Sequence, residues 1–116
     1  MRYHEAFFDE ALDALCVVME LASGGDLRAT FRSRGKPMAE KDVWKLVSDL
    51  LEGLKLLHDN RILHRDLKPE NIMVTDSHYK IADMNVSTVQ KGDAAHTQIG
   101  TPACASPEVW QEQPYN

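Results

Sequence analysis

Five apolar residues, Val43, Val47, Leu50, Leu54 and Leu57, step by 4, 3, 4 and 3 along the chain. That spacing returns to one side of an α-helix, and Leu46, Leu51 and Trp44 widen the stripe. Lys41, Asp42, Lys45, Asp49, Glu52 and Lys55 fill most of the remaining positions. The pattern predicts an amphipathic helix ending near His58, with Asn60 suited to the left-handed residue that closes helices. A face this broad is expected to lie in a core larger than a hairpin supplies. Before it, residues 3–8 and 14–21 are rich in aromatic and β-branched side chains and flank Asp9-Glu10-Ala11-Leu12-Asp13, which predicts a β-hairpin. Ser23-Gly24-Gly25-Asp26 breaks the pattern, and Asp26 is placed to cap a short helix through about Arg32. Beyond residue 60 the period changes. Ile72-Met73-Val74 and Tyr79-Lys80-Ile81-Ala82 predict two short strands around Thr75-Asp76-Ser77-His78. From Asp83 onward no long helix or strand is predicted, and an irregular stretch of that length in a compact domain normally serves a function.

Composition narrows the partners. Thirteen Lys and Arg against eighteen Asp and Glu give the 116 residues a net charge of −5, which argues against nucleic-acid or anionic-membrane binding. With 43% hydrophobic and 27% charged residues the chain is too apolar to be disordered. Cys16 and Cys104 are far apart and form no CxxC or Cys/His cluster, so neither a disulfide scaffold nor a zinc site is expected. No apolar run approaches bilayer length and the N-terminus has no signal-peptide core. The expected setting is cytoplasmic.

The chemistry concentrates in His64-Arg65-Asp66-Leu67-Lys68-Pro69-Glu70-Asn71. A carboxylate, an ammonium and an amide lie within six residues, just before a predicted strand. Asp66 can accept a hydrogen bond from a hydroxyl and orient it, Lys68 can neutralise a phosphate, and Asn71 can offer Mg²⁺ a hard oxygen. Asp83 follows at the end of the next hairpin, which would bring a second metal ligand to the same end of the sheet. His64 is expected to act in packing and hydrogen bonding, and Glu70 as a backbone or salt-bridge partner.

This segment resembles the catalytic loop of the eukaryotic protein kinases, H-R-D-x-K-x-x-N in the Ser/Thr branch, at every defined position. Upstream, Val17-Val18-Met19-Glu20-Leu21-Ala22-Ser23-Gly24-Gly25-Asp26-Leu27 is similar to the family's fifth strand, hinge and following helix start. The resemblance implies that Met19 is the gatekeeper and that backbone groups of Glu20 and Ala22 bond adenine. Asp26 would face the ribose, and Met73 would form part of the adenine floor. Downstream, Asp83-Met84-Asn85 stands where the family has D-F-G: Met84 is expected to fill the phenylalanine's packing site, and Asn85 to tolerate the glycine's positive φ. Gly100-Thr101-Pro102 and Ser106-Pro107-Glu108 look most like the NIMA-related (NEK) kinases, although those usually carry two tyrosines where this chain has Ala103 and Cys104. Cys104 is expected to be a small buried packing residue. Thr101 would sit near Asp66 and Lys68. Thr97 resembles an activating phosphosite, with the Arg65 guanidinium available to pair with its phosphate.

The resemblance implies an α+β, protein kinase-like fold of which residues 1–116 are a part: about 1–22 as N-lobe strands and hinge, 23–116 as the first part of the C-lobe. It implies ATP and Mg²⁺ as cofactors and protein Ser/Thr hydroxyls as substrates, with Asn71 and Asp83 as metal ligands. The sequence holds no Gly-rich loop and no third-strand lysine, so the isolated chain is expected to be inactive. Leaving several hundred Å² of the helix's apolar face uncovered would cost on the order of 10 kcal/mol at ~25 cal/mol per Å². A second reading of another class is a non-catalytic, kinase-like binding or regulatory protein. Cytoskeletal, ciliary or centrosomal association is compatible with the NEK resemblance.

Overall fold

A computed structural model of the chain describes residues 1–89 and 101–115. The chain opens with an antiparallel hairpin, β1 (Tyr3–Asp9) and β2 (Ala14–Met19), in which Phe7 faces Cys16 and Phe8 faces Leu15. Asp9 closes its turn by accepting the N–H groups of Ala11 (2.9 Å) and Leu12 (3.1 Å), while Asp13 takes a positive φ of 48°. Helix α1 (Leu27–Arg34) follows, with Asp26 at its N-cap accepting from the Ala29 N–H at 2.7 Å. Gly35 closes it at φ 61°.

The long helix is α2 (Glu40–Asp59). Its end differs from the expected one. Asn60 is right-handed (φ −94°, ψ 10°), and the left-handed residue is Arg61 (φ 57°). The Asn60 side chain donates back to the Leu56 carbonyl at 2.8 Å, which satisfies the helix end without an αL residue there. The reversal then falls on the next residue. Strand β3 (Ile62–Leu63) pairs with β6 (Thr88–Val89), and β4 (Ile72–Val74) pairs with β5 (Tyr79–Ile81), both antiparallel. A 3₁₀ turn at Pro69–Asn71 leads into β4, and a second at Pro102–Cys104 precedes α3 (Pro107–Trp110).

Among the described residues the buried apolar core is Leu27, Leu63 and Ile72. Helix α2 lies on β5 and β3, where Gly53 permits close approach: a Cβ there would stand 3.1 Å from Ile81 Cδ1. Asp49 ties the same contact by accepting from the Tyr79 N–H at 2.8 Å. The larger core expected to cover this helix is not found among the described residues: no residue of α2 is buried, and Trp44, Leu51 and Leu56 are 66%, 60% and 65% exposed. Its broad face exceeds what two short strands can cover. The radius of gyration, 16.1 Å, accordingly exceeds the about 13–14 Å of a compact chain of this length.

Candidate active site

The loop between β3 and β4 is fixed by hydrogen bonds from three directions. His64 is buried; its Nδ1 receives the Asp66 N–H (3.3 Å), which leaves Nε2–H to donate to the Ala82 carbonyl at 3.0 Å. Arg65 is left-handed (φ 67°) and its Nε donates to the Val86 carbonyl at 2.7 Å. Ser87 donates to the His64 carbonyl at 3.3 Å. These contacts clamp the loop to the segment 82–87, on both sides of Asp83. Both partners keep strained backbone: Asp83 is also left-handed, at φ 60°.

At the centre Asp66 accepts on both carboxylate oxygens. Thr101 Oγ1 donates to Oδ1 at 2.6 Å, while Lys68 Nζ (2.6 Å) and Asn71 Nδ2 (3.0 Å) reach Oδ2. Lys68 also donates to Thr101 Oγ1 at 2.9 Å, closing a ring of Asp66, Lys68 and Thr101. The Lys68 hydrogen bond, followed by that of Thr101, holds the Asp66 carboxyl down to about 2, against the opposing effect of desolvation. Lys68 is held more firmly protonated, first by its hydrogen bond to Asp66 and further by the charges of Glu70 and Asp83. Asp66 is therefore an anion throughout the neutral range, and its side chain remains 13% exposed.

Asn71 is 5% exposed. Its amide N–H₂ is committed to Asp66, to the backbone carbonyl (2.9 Å) and to Oδ2. The amide oxygen accepts nothing among the described residues and is left for a hard cation. Asp83 is exposed and, among the described residues, accepts only the Asn85 N–H, at 3.3 Å. No cluster of three His, Cys, Asp or Glu side chains occurs among the described residues. One carboxylate and one amide oxygen fit a Mg²⁺ that takes its other ligands from phosphates and water.

The segment after β2 is the one to which the resemblance assigns the nucleotide. Glu20 N–H donates to the Arg2 carbonyl at 2.8 Å, and the Ala22 carbonyl accepts from Gly25 N–H at 3.1 Å. The Glu20 carbonyl and the Ala22 N–H are the groups still unpaired among the described residues. The Glu20 carboxylate pairs with Lys80 and accepts the Arg2 N–H at 2.9 Å, an arrangement the sequence did not suggest. Asp26 forms an isolated bridge with Met73, flanked by Gly24 N–H to Val74 O (2.9 Å) and Val74 N–H to Gly25 O (2.8 Å). Asp26 thus serves as a helix cap with one carboxylate oxygen to spare. Met19 is 54% exposed.

Three expectations are corrected. Met84 is 41% exposed, with its sulfur 3.5 Å from the Ser87 hydroxyl oxygen, so it fills no packing site here. Asn85 has no positive φ; the left-handed residue is Asp83, which removes the demand on its neighbour. Cys104 is exposed, since it ends a short 3₁₀ turn at the rim of a cleft shared with Asp66, Thr101 and Tyr115. Thr97 lies outside the described residues. Glu70 has the salt-bridge role expected of it, with Arg28 as partner.

The loop thus joins an anionic aspartate, a lysine and an asparagine, and is clamped to the segment 82–87 that carries a second aspartate, Asp83. Residues 1–116 match the protein kinase domain family throughout, and the chain belongs to that family, with its α+β, kinase-like fold. It is 36% identical over its whole length to a probable serine/threonine-protein kinase MARK-B of Dictyostelium discoideum. Over 85% of the chain it is 38% identical to the calcium/calmodulin-dependent protein kinase type 1 of Caenorhabditis briggsae. Over 99% it is 36% identical to the serine/threonine-protein kinase Nek6 of Oryza sativa subsp. japonica. The chain spans 16%, 29% and 22% of the length of these three relatives.

Proposed function

We propose that these residues are the catalytic-loop portion of a serine/threonine protein kinase, which transfers the γ-phosphoryl group of ATP to protein Ser and Thr hydroxyls. The carrying observation is the Asp66–Lys68–Thr101 ring with Asn71 behind it. When bound, ATP supplies the phosphoryl group and Mg²⁺ offsets its charge. Asp66 accepts the hydrogen bond of the incoming hydroxyl and aims its oxygen at phosphorus. The low affinity of Asp66 for a proton makes it an orienting group first and a proton acceptor only as the new P–O bond forms. Lys68 places its charge where negative charge gathers on the transferred group. Asn71 and Asp83 would hold the metal, Glu20 and Ala22 the adenine edge, Asp26 the ribose, and Met73 the adenine face.

The narrower placement among the NIMA-related kinases rests on Gly100-Thr101-Pro102 and Ser106-Pro107-Glu108 and on the similarity to rice Nek6. Relatives with other kinase names match at 36% and 38% identity, so the broader class does not depend on that placement. For Thr97, phosphorylation would supply a dianion suited to Arg65, whose Nε is committed to Val86 while its terminal nitrogens make no bond among the described residues. The setting proposed for this activity is cytoplasmic.

The test is an assay of labelled phosphate transfer from ATP to a Ser/Thr protein substrate by the full-length polypeptide that contains these residues. Asp66→Asn should reduce transfer by at least about a hundredfold, the scale of a lost catalytic base. Equal transfer by the variant would overturn the proposal.

A further inference from the structure

The Glu20 carboxylate and the Lys80 ammonium pair across sixty residues of chain, and their side chains are only 25% and 32% exposed. Partly buried pairs are screened less by salt than exposed ones. Each partner is also fixed from a second side. The Glu20 carboxylate accepts the Arg2 N–H at 2.9 Å, while the Glu20 N–H donates to the Arg2 carbonyl at 2.8 Å. Lys80 is the middle residue of β5 and stands directly opposite Met73 on β4. Residues opposite one another in an antiparallel ladder put their side chains on the same face. Lys80 and Met73 therefore share one face of the β4–β5 hairpin, and Lys80 reaches from it to the segment after β2.

That segment is tied to the hairpin at both ends. At its far end the Asp26–Met73 bridge and the bonds of Gly24 and Gly25 to Val74 join it to β4 through backbone groups. At its near end the tie to β5 is the Glu20–Lys80 side-chain pair. Between the two lies the Glu20–Ala22 edge, with the Glu20 carbonyl and the Ala22 N–H unpaired among the described residues. One acceptor and one donor beside an apolar face suit a planar ring that itself carries a donor and an acceptor on one edge. Without the ammonium, the Glu20 carboxylate is left partly buried and uncompensated. Turning it out to water moves the backbone edge that carries it.

We propose that Lys80 is a positioning residue for the nucleotide base: by holding the Glu20 carboxylate, it sets the spacing between the Glu20–Ala22 backbone edge and the Met73 face. Lys80 acts through Glu20 and is not a catalytic residue. The inference deepens the proposed kinase function and rests on it for the identity of the base as adenine.

The experiment measures how adenosine and ATP each displace a fluorescent adenine nucleotide from the full-length polypeptide that contains these residues. Adenosine carries no phosphate and so reports the base side alone. Lys80→Met should weaken both ligands about three- to fivefold, the scale of one ion pair, and Lys80→Arg should restore most of the loss. Glu20→Gln still accepts the Arg2 N–H and should weaken both by the same factor. Combining Lys80→Met with Glu20→Gln should weaken them no further, because the two residues act as one pair. A loss confined to ATP would mean that the Lys80 charge attracts phosphate, and it would overturn the inference. So would additive losses in the double variant, unchanged binding in Lys80→Met, or no displacement by adenosine from the unaltered polypeptide. Phosphate transfer is read separately. Asp66-dependent transfer with adenosine affinity unmoved by Lys80→Met sinks only the positioning role. The expected adenosine losses without any transfer sink the kinase reading and leave an adenosine-binding slot set by Lys80.

Discussion

The loop His64–Asn71 and the β1–β2 hairpin are both well hydrogen-bonded, yet they are held in opposite ways. The loop has its polar groups paired with one another and with the segment 82–87, and it rests on buried Leu63 and Ile72. The hairpin has a regular ladder, but Tyr3, Phe8 and Leu15 are 60%, 58% and 69% exposed. Backbone pairing sets the local shape of each. Only the loop adds burial and a closed side-chain network, so its geometry is determined within the chain, while the hairpin and the outer face of α2 present apolar surface outward. The residues proposed for chemistry sit in the part that is internally determined.

Removing apolar volume should break this comparison if it is wrong. Ile72→Ala in the core under the loop should cost about 2–4 kcal/mol in urea unfolding, whereas Leu15→Ala on the hairpin should cost under about 1 kcal/mol. Similar losses at the two sites would contradict the contrast. The next largest effect is expected where the ribose-side segment meets β4. A Cβ at Gly24 would lie 2.9 Å from the Val74 side chain and from its carbonyl oxygen. Gly24→Ala should therefore destabilise by roughly 1–3 kcal/mol and loosen the pairing of Asp26 with Met73, visible as faster amide exchange at Val74. An unchanged exchange rate there would count against the close approach. Asp26→Ala should cost about 1 kcal/mol through the lost α1 cap, while Asp26→Asn, which still accepts the Ala29 N–H, should restore most of it.

The catalytic loop was legible because its donors and acceptors lie within eight consecutive residues, so the sequence itself fixes their spacing. The helix α2 was legible from period, and the α1 cap from Asp26 standing before an apolar residue. Thr101 at Asp66 is different: thirty-five residues separate them, and the family resemblance alone pointed there. Strands β3 and β6 carry no signal, because two residues have no period and their pairing spans the whole loop. Asn60 misled because side-chain propensity names a residue that tolerates αL, while the hydrogen-bond needs of the helix end decide which residue adopts it. Asn85 misled in the same way, with Asp83 taking the left-handed conformation instead. Burial of Met84 and Cys104 was overread because apolar character states a preference for contact without saying whether a neighbour lies within reach.

The most direct test of a self-determined catalytic loop is a carbon-13 NMR titration of the Asp66 carboxyl. Its depressed pKa means that the loop gains stability from the ionised form above the ordinary carboxylate value, and loses it as pH falls toward about 2. Asp66 should remain largely ionised at about pH 3, and its midpoint should move up toward the ordinary value of about 3.9 in Lys68→Met. A midpoint near 3.9 in the unaltered chain, or one that ignores the loss of Lys68, would contradict the account.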